Sequence, residues 1–269
     1  MIKITDQNYT LPIVEALGPI KEFDSGANKP LLIIGVDENG TKGDYVVKFR
    51  GAERMSNEAF MREILAAFIA MQMEIPVVNP AIVNISHDFV DLLKGNSAWQ
   101  YANASIGYNY GSAYLKDYLI MPVNQVLNNH QLNYAQTIFA FDILIQNSDR
   151  RVEKPNMLTN GNEIIILDHE LAFGFIFDII KDSNPWIIKQ KDLEWIRLHC
   201  LLPKIKHKDF GFNEFSKRLN NLDENFWNTA WSLIPENWRF DQFNIIKNHF
   251  IAISENRDSF ILELKKLMS

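Results

Sequence analysis

Two aspartates and an asparagine surround one short apolar hairpin in the stretch from Asn147 to Phe173. Asn147-Ser148-Asp149-Arg150-Arg151 reads as a loop and Asn156-Met157-Leu158 as the mouth of a first strand. Asn160-Gly161-Asn162 is a turn, and Ile164-Ile165-Ile166-Leu167-Asp168 is a second strand ending in an acid. Antiparallel neighbours lie about 5 Å apart, so the hairpin brings Asn156 near Asp168. Two hard oxygen ligands with a third carboxylate nearby suit Mg²⁺-assisted phosphoryl transfer. One carboxylate would orient or deprotonate an acceptor hydroxyl; the amide oxygen and the other carboxylate would hold the metal on nucleotide phosphates. The same residue types also serve plain turns by bonding local backbone, so the surrounding elements have to decide between the two.

Upstream, the pattern predicts strands over Leu11–Ala16, Leu31–Val36 and Asp44–Phe49, with a small polar turn at Asp24-Ser25-Gly26-Ala27-Asn28. A loop of small residues followed by a strand bearing one lysine is how kinase-type folds cover phosphates: backbone N–H groups approach and the lysine supplies a fixed charge. Ser25 and Gly26 are the loop candidates, and Lys48 is the lysine. A ligand-free hairpin turn and an edge-strand lysine are the plainer alternatives. The clearest helix is expected over Asn57–Met73, capped by Ser56 or Asn57, with Phe60, Ile64, Ala67, Phe68 and Met71 as one apolar stripe. Glu63 beside that stripe can pair with the strand lysine; Glu58 competes on a different face, and a solvated glutamate is the alternative.

A strand is expected at Ala81–Ile85. The Tyr-, Asn- and Gly-rich stretch Trp99–Leu115 reads as a lobe connection or a binding loop. A helix over Asn133–Gln146 carries Asp142 on its apolar face, read as structural support for the loop bearing Asp149. From Ile187 onward the pattern is helical, with segments Asp192–Leu202, Phe212–Asn221, Glu224–Leu233, Phe240–Ser254 and Arg257–Leu267. His199, His207 and Cys200 read as structural, His169 as support, and Glu170 as a residue near the metal region.

The 269 residues are long for one core and short for two, which fits a single domain of two lobes. No apolar run is long enough to span a membrane, and the N-terminus lacks the apolar segment of a secretory signal. A lone cysteine suits a reducing cytoplasm. A net charge of −6 argues against a dedicated nucleic-acid binder.

Taken together, these blocks resemble the HipA-like kinases, in particular their small single-chain branch. The resemblance rests on Tyr45-Val46-Val47-Lys48-Phe49, Arg62-Glu63 through Ile75-Pro76-Val77, and Gly111-Ser112-Ala113-Tyr114-Leu115. It continues in Asn147-Ser148-Asp149-Arg150, Pro155-Asn156-Met157-Leu158, Leu167-Asp168-His169-Glu170-Leu171-Ala172-Phe173 and Ile234-Pro235-Glu236-Asn237-Trp238. It implies an α+β, two-lobed protein-kinase-like fold: a β-rich N-terminal lobe (1–115) with one main helix, and a helical C-terminal lobe (116–269). It also implies ATP and Mg²⁺ as cofactors. Lys48 would contact the α/β phosphates with Glu63 orienting it, Asp149 would be the catalytic base, and Asn156 and Asp168 the metal ligands. Related proteins phosphorylate protein Ser or Thr, and some are toxins held by an antitoxin; the layout also occurs in small-molecule and lipid kinases. Ser25 becomes an autophosphorylation candidate. One departure stands out: the position five residues after the base, often the metal asparagine, is Lys154 here. A glycine-poor phosphate loop is a second. A nucleotide-binding pseudokinase is therefore the alternative to an active kinase. The expectation at its sharpest is that Asp149, Asn156 and Asp168 all converge on the ammonium of Lys48.

Overall fold

The computed structural model describes residues 1–23, 29–53, 55–179, 182–208 and 211–269. Five strands come first: β1 (Ile13–Glu22), β2 (Leu31–Asp37), β3 (Lys42–Lys48), β4 (Pro80–Ile85) and β5 (Gly107–Ala113). They close into a barrel of order β1-β2-β3-β5-β4, with β1 and β4 parallel and the other neighbours antiparallel. Side chains alternate along β1, so Val14 and Ala16 turn inward while Ile13, Glu15 and Leu17 face out. Val14, Leu31, Ile33, Val47, Phe49, Val83 and Ile85 fill the barrel. The β4–β5 seam is tight: a Cβ at Gly111 would lie 2.5 Å from the Val83 side chain, so only glycine fits.

The first helix, α1 (Asn57–Gln72), joins β3 to β4, and Ser56 caps it by accepting from the Ala59 amide. The sequence predicts one apolar stripe; the structure buries every residue from Ala59 to Gln72 except Arg62. The reason is position. The helix packs in one core with the C-terminal helices, and Phe60 meets Trp238 with ring centroids 4.9 Å apart. Two further helices, α2 (His87–Leu92) and α3 (Trp99–Asn103), lie between β4 and β5, where the sequence predicts none. Phe89, Val90, Leu93, Ala98 and Ala102 pack into the barrel core. The Trp99–Leu115 stretch is therefore no connecting loop; it is α3 followed by a barrel strand. Asn109, a residue type that favours loops, is buried in the strand because its amide bonds the carbonyls of Ser105 and Gly107.

After the barrel come β6 (Leu119–Ile120), α4 (Asn129–Leu144), β7 (Met157–Thr159) and β8 (Ile164–Ile166). The three strands form a small sheet of order β6-β7-β8, so this half is not purely helical. Helix α4 starts at Asn129 rather than Asn133, because Asn128 and Gln131 form a capping box. The hairpin turn between β7 and β8 lies where expected, with Gly161 at φ 91° and the Asn160 side chain accepting from the amides of Asn162 and Glu163. Backbone bonds from Val78 to Ile166 and from Ile166 to Pro76 stitch β8 to the chain leaving α1.

The remainder is α5 (Leu193–Arg197), α6 (Leu202–Ile205), α7 (Asn213–Leu219), α8 (Glu224–Leu233), α9 (Gln242–Glu255) and α10 (Arg257–Met268). The expected helix over Asp192–Leu202 is interrupted. His199 and Cys200 pair instead with the loop beyond α4: Cys200 donates to the Arg150 carbonyl, and His199 bridges Arg151. The architecture is α+β, as the sequence implies. Among the described residues no helix is long and apolar enough to cross a membrane.

Candidate active site

Three separate segments bring charge together where the barrel meets the second sheet. Lys48 ends β3, Glu63 lies on α1, and Asp168 follows β8. The Lys48 ammonium lies 2.8 Å from Asp168 Oδ1 and 3.1 Å from Glu63 Oε1. Glu63 Oε1 also accepts from the His169 backbone amide, while its Oε2 is buried with no hydrogen-bond partner among the described residues. Of the two glutamates weighed on the helix, Glu63 reaches the lysine, whereas Glu58 is half-buried. The Tyr110 ring lies with its centroid 5.8 Å from the same ammonium.

Electrostatics divides this trio. Burial works against the charge on Lys48, but Asp168 and then Glu63 outweigh it and raise its pKa. Burial likewise opposes the charge on Asp168, yet Lys48 and Lys154 hold its carboxyl well below the usual range. Glu63 moves the other way, to about 7, because burial exceeds the support from Lys48. One ammonium cannot serve two carboxylates equally, and the shorter contact decides for Asp168. Glu170 is buried beside them, and burial and then Asp168 push its carboxyl up.

Asp149 and Asn156 occupy the loop before β7. Only Asp168 of the three middle-chain groups bonds Lys48; the expected convergence of all three is corrected in that respect. The reason is Lys154, whose ammonium stands 2.7 Å from Asp149 Oδ2 and 3.1 Å from Asp168 Oδ2. Asn156 Nδ2 lies 3.4 Å from Asp149 Oδ2. The Leu167 amide donates to the Asn156 carbonyl at 3.1 Å, so Asn156 and Asp168 do flank one hairpin end. Both adopt left-handed backbone, at φ 48° and 59°, as does Phe173 at 64°. Asn and Asp tolerate that region better than most residues, yet such clustering stores strain typical of functional sites.

A second polar cluster pins this loop from behind. Asp142 on α4 accepts from Arg150 Nε at 2.5 Å and Nη2 at 3.1 Å, from Asn147 Nδ2 at 3.0 Å, and contacts His199 Nε2 at 3.0 Å. Arg150 also donates to the carbonyls of Pro155 and Asn156. Asp142 thus supports the Asp149 loop twice: its carbonyl accepts from the Asn147 backbone amide at 2.8 Å, and its carboxylate holds the Asn147 and Arg150 side chains. His199 is structural, as its sequence context suggests; Arg150 and Asn147 are the supporting residues that sequence reasoning leaves without a role, and the Asp149-Arg150 pair is the available signal. His169 is buried with its ring edge-on to Phe141, and burial lowers its pKa to about 3, so it stays neutral. Ser25 and Gly26 lie outside the described residues.

The donor set suits a hard cation held partly by phosphates. No group of three His, Cys, Asp or Glu able to hold a metal occurs among the described residues. Mg²⁺ on a nucleotide needs only one or two carboxylates, with waters and phosphate oxygens completing its shell. Asp168 and the neighbouring Asn156 amide fit that pattern.

Comparison with known proteins adds the lineage. The family model described as HipA-like kinase matches residues 19–260. No curated protein sequence matches. Among solved structures, a Helicobacter pylori proinflammatory kinase, CtkA, is similar over 96% of each chain, at 13% identity and a TM-score of 0.48. The MAP kinase LmaMPK10 from Leishmania major matches 92% of this chain and 81% of its own, at 11% identity and a TM-score of 0.33.

Proposed function

The chain belongs to the HipA-like kinase family, and from that premise we propose that it moves the γ-phosphoryl group of ATP onto a protein Ser or Thr hydroxyl, with Mg²⁺ as the metal. In this reading the chain is one kinase-like domain of two lobes, divided near residue 115. Lys48 holds the α/β phosphates and Glu63 fixes Lys48, the lysine–glutamate pair that kinases require. Asp149 orients the acceptor hydroxyl and takes its proton. Asn156 and Asp168 hold the metal. Bound ATP with its cation supplies the transferable group; the side chains supply placement and charge.

The observation that carries the reading is the meeting of Lys48, Glu63 and Asp168 from three distant segments, at 2.8 and 3.1 Å. Plain turn formers have no reason to converge on one lysine. Labelling with γ-³²P-ATP and a mixed Ser/Thr peptide library tests it, comparing wild type with Asp149→Ala and Asp168→Ala. Wild type should transfer label and both variants should lose it. Equal labelling by all three, or none by wild type with any divalent metal, removes the enzyme claim.

A second reading has one specific observation in its favour. The Lys154 ammonium lies against Asp149, the proposed base, at 2.7 Å. A nucleotide-binding pseudokinase would show a melting shift with ATP and Mg²⁺ and no transfer.

A further inference from the structure

We infer that the Lys154 ammonium takes the place of one of two divalent cations, so that the nucleotide complex of this chain carries one metal ion. The inference rests on the nucleotide-binding part of the function proposed above. Lys154 Nζ lies 2.7 Å from Asp149 Oδ2 and 3.1 Å from Asp168 Oδ2. The other oxygen of Asp168 faces Lys48 at 2.8 Å. Each Asp168 oxygen therefore already has an ammonium group against it.

The loop sets Lys154 there by construction. Pro155 follows it, with φ fixed by the ring, and Arg150 holds the carbonyls of Pro155 and Asn156. Arg151 and Lys154 also exchange backbone bonds at 3.2 Å. The backbone of Lys154 is thereby tied down, although its side chain is 41% exposed.

Two-metal phosphoryl-transfer sites place their cations about 3.5–4 Å apart, around shared carboxylate and phosphate oxygens. A second ion on Asp168 Oδ2, or one shared with Asp149, would need an oxygen that the Lys154 ammonium already contacts at 3.1 or 2.7 Å, and would be repelled by that charge. A lysine there supplies one positive charge and three N–H donors for phosphate oxygens. It does so without the octahedral shell and dehydration that Mg²⁺ demands. Asn156 and the remaining face of Asp168 are left for the single ion.

Manganese, a paramagnetic stand-in for magnesium, can be counted by electron paramagnetic resonance. Mn²⁺ is titrated into the full chain saturated with a non-hydrolysable ATP analogue, using wild type, Lys154→Asn and Lys154→Arg, with bound nucleotide measured in parallel. Wild type and Lys154→Arg should bind one Mn²⁺ per nucleotide. Lys154→Asn should bind two, the second at least about tenfold tighter than any weak second ion in wild type. Two equally tight ions in wild type, with nucleotide bound, would overturn the inference and leave the kinase reading standing. An unchanged count in Lys154→Asn would also overturn it. Failure of wild type to form any Mn²⁺–nucleotide complex would overturn the kinase reading, and this inference with it.

Discussion

Two clusters in this molecule are built alike and behave oppositely. Each sets an aspartate against basic side chains: Asp142 with the guanidinium of Arg150 and the imidazole of His199, and Asp168 with the ammonium groups of Lys48 and Lys154. In the first, Asp142 and Arg150 have no exposed side-chain surface, and the arginine directs its donors to one carboxylate, two carbonyls and the His169 ring. In the second, Asp168 is 17% exposed, its lysines are shared with other acids, and one oxygen of Glu63 is unsatisfied. The backbone turns left-handed at Asn156 and Asp168. The contrast teaches where to look for chemistry. A saturated, planar, buried ion pair specifies a loop. A shared, strained and partly open one can exchange its partners for phosphates and metal.

The largest effects should fall on opposite readouts. Asp149→Asn should cut turnover about 10²- to 10⁴-fold, as loss of a general base does, with the melting temperature nearly unchanged. Steady-state transfer and a thermal melt check both halves, and a variant that unfolds would erase the contrast. Arg150→Met should do the reverse first: removing one partner of a buried pair costs about 3–5 kcal/mol, read by urea denaturation. A fully stable Arg150→Met chain would mean that the buried cluster is not what holds the loop. A smaller effect probes the helix carrying Glu63. Ser56→Ala should cost about 1 kcal/mol by removing its cap, and a loss well above that would tie the cap to the site itself.

A last effect is confined to acid pH. Burial lowers the pKa of His249 to about 4, and also lowers that of His199, where the bond to Asp142 only partly offsets it. The unfolded chain binds these protons near pH 6.5, and the folded chain resists them. Stability from these groups is therefore complete above pH 6.5 and is lost as pH falls toward 4. Melting temperature should decline across that window, and His249→Gln should decline less steeply. Parallel slopes for the two proteins would exclude His249 as a source.

Much of the candidate site is legible because its residues are marked by local signals. Lys48 stood out as a charge in an apolar strand, Glu63 as an acid beside an apolar helix face, and the Asn160-Gly161-Asn162 turn fixed the hairpin between Asn156 and Asp168. What failed depended on partners far along the chain. One stripe was expected on α1, but Trp238 and its neighbours cover another side. The break at His199-Cys200 comes from backbone pairing with Arg150 and Arg151, which no periodicity announces. Asn109 looked like loop and is buried strand, because its amide bonds carbonyls nearby. Lys154 was visible as a departure, but its bridging of Asp149 and Asp168 required the fold.

The most direct test of the central claim is a crystal structure of the chain with a non-hydrolysable ATP analogue and Mg²⁺. The account expects the phosphates on the Lys48 ammonium, with Glu63 still against it, and the metal about 2.1 Å from oxygens of Asp168 and Asn156. A nucleotide bound elsewhere, with Lys48 still locked between Glu63 and Asp168 and no metal on Asp168, would contradict it.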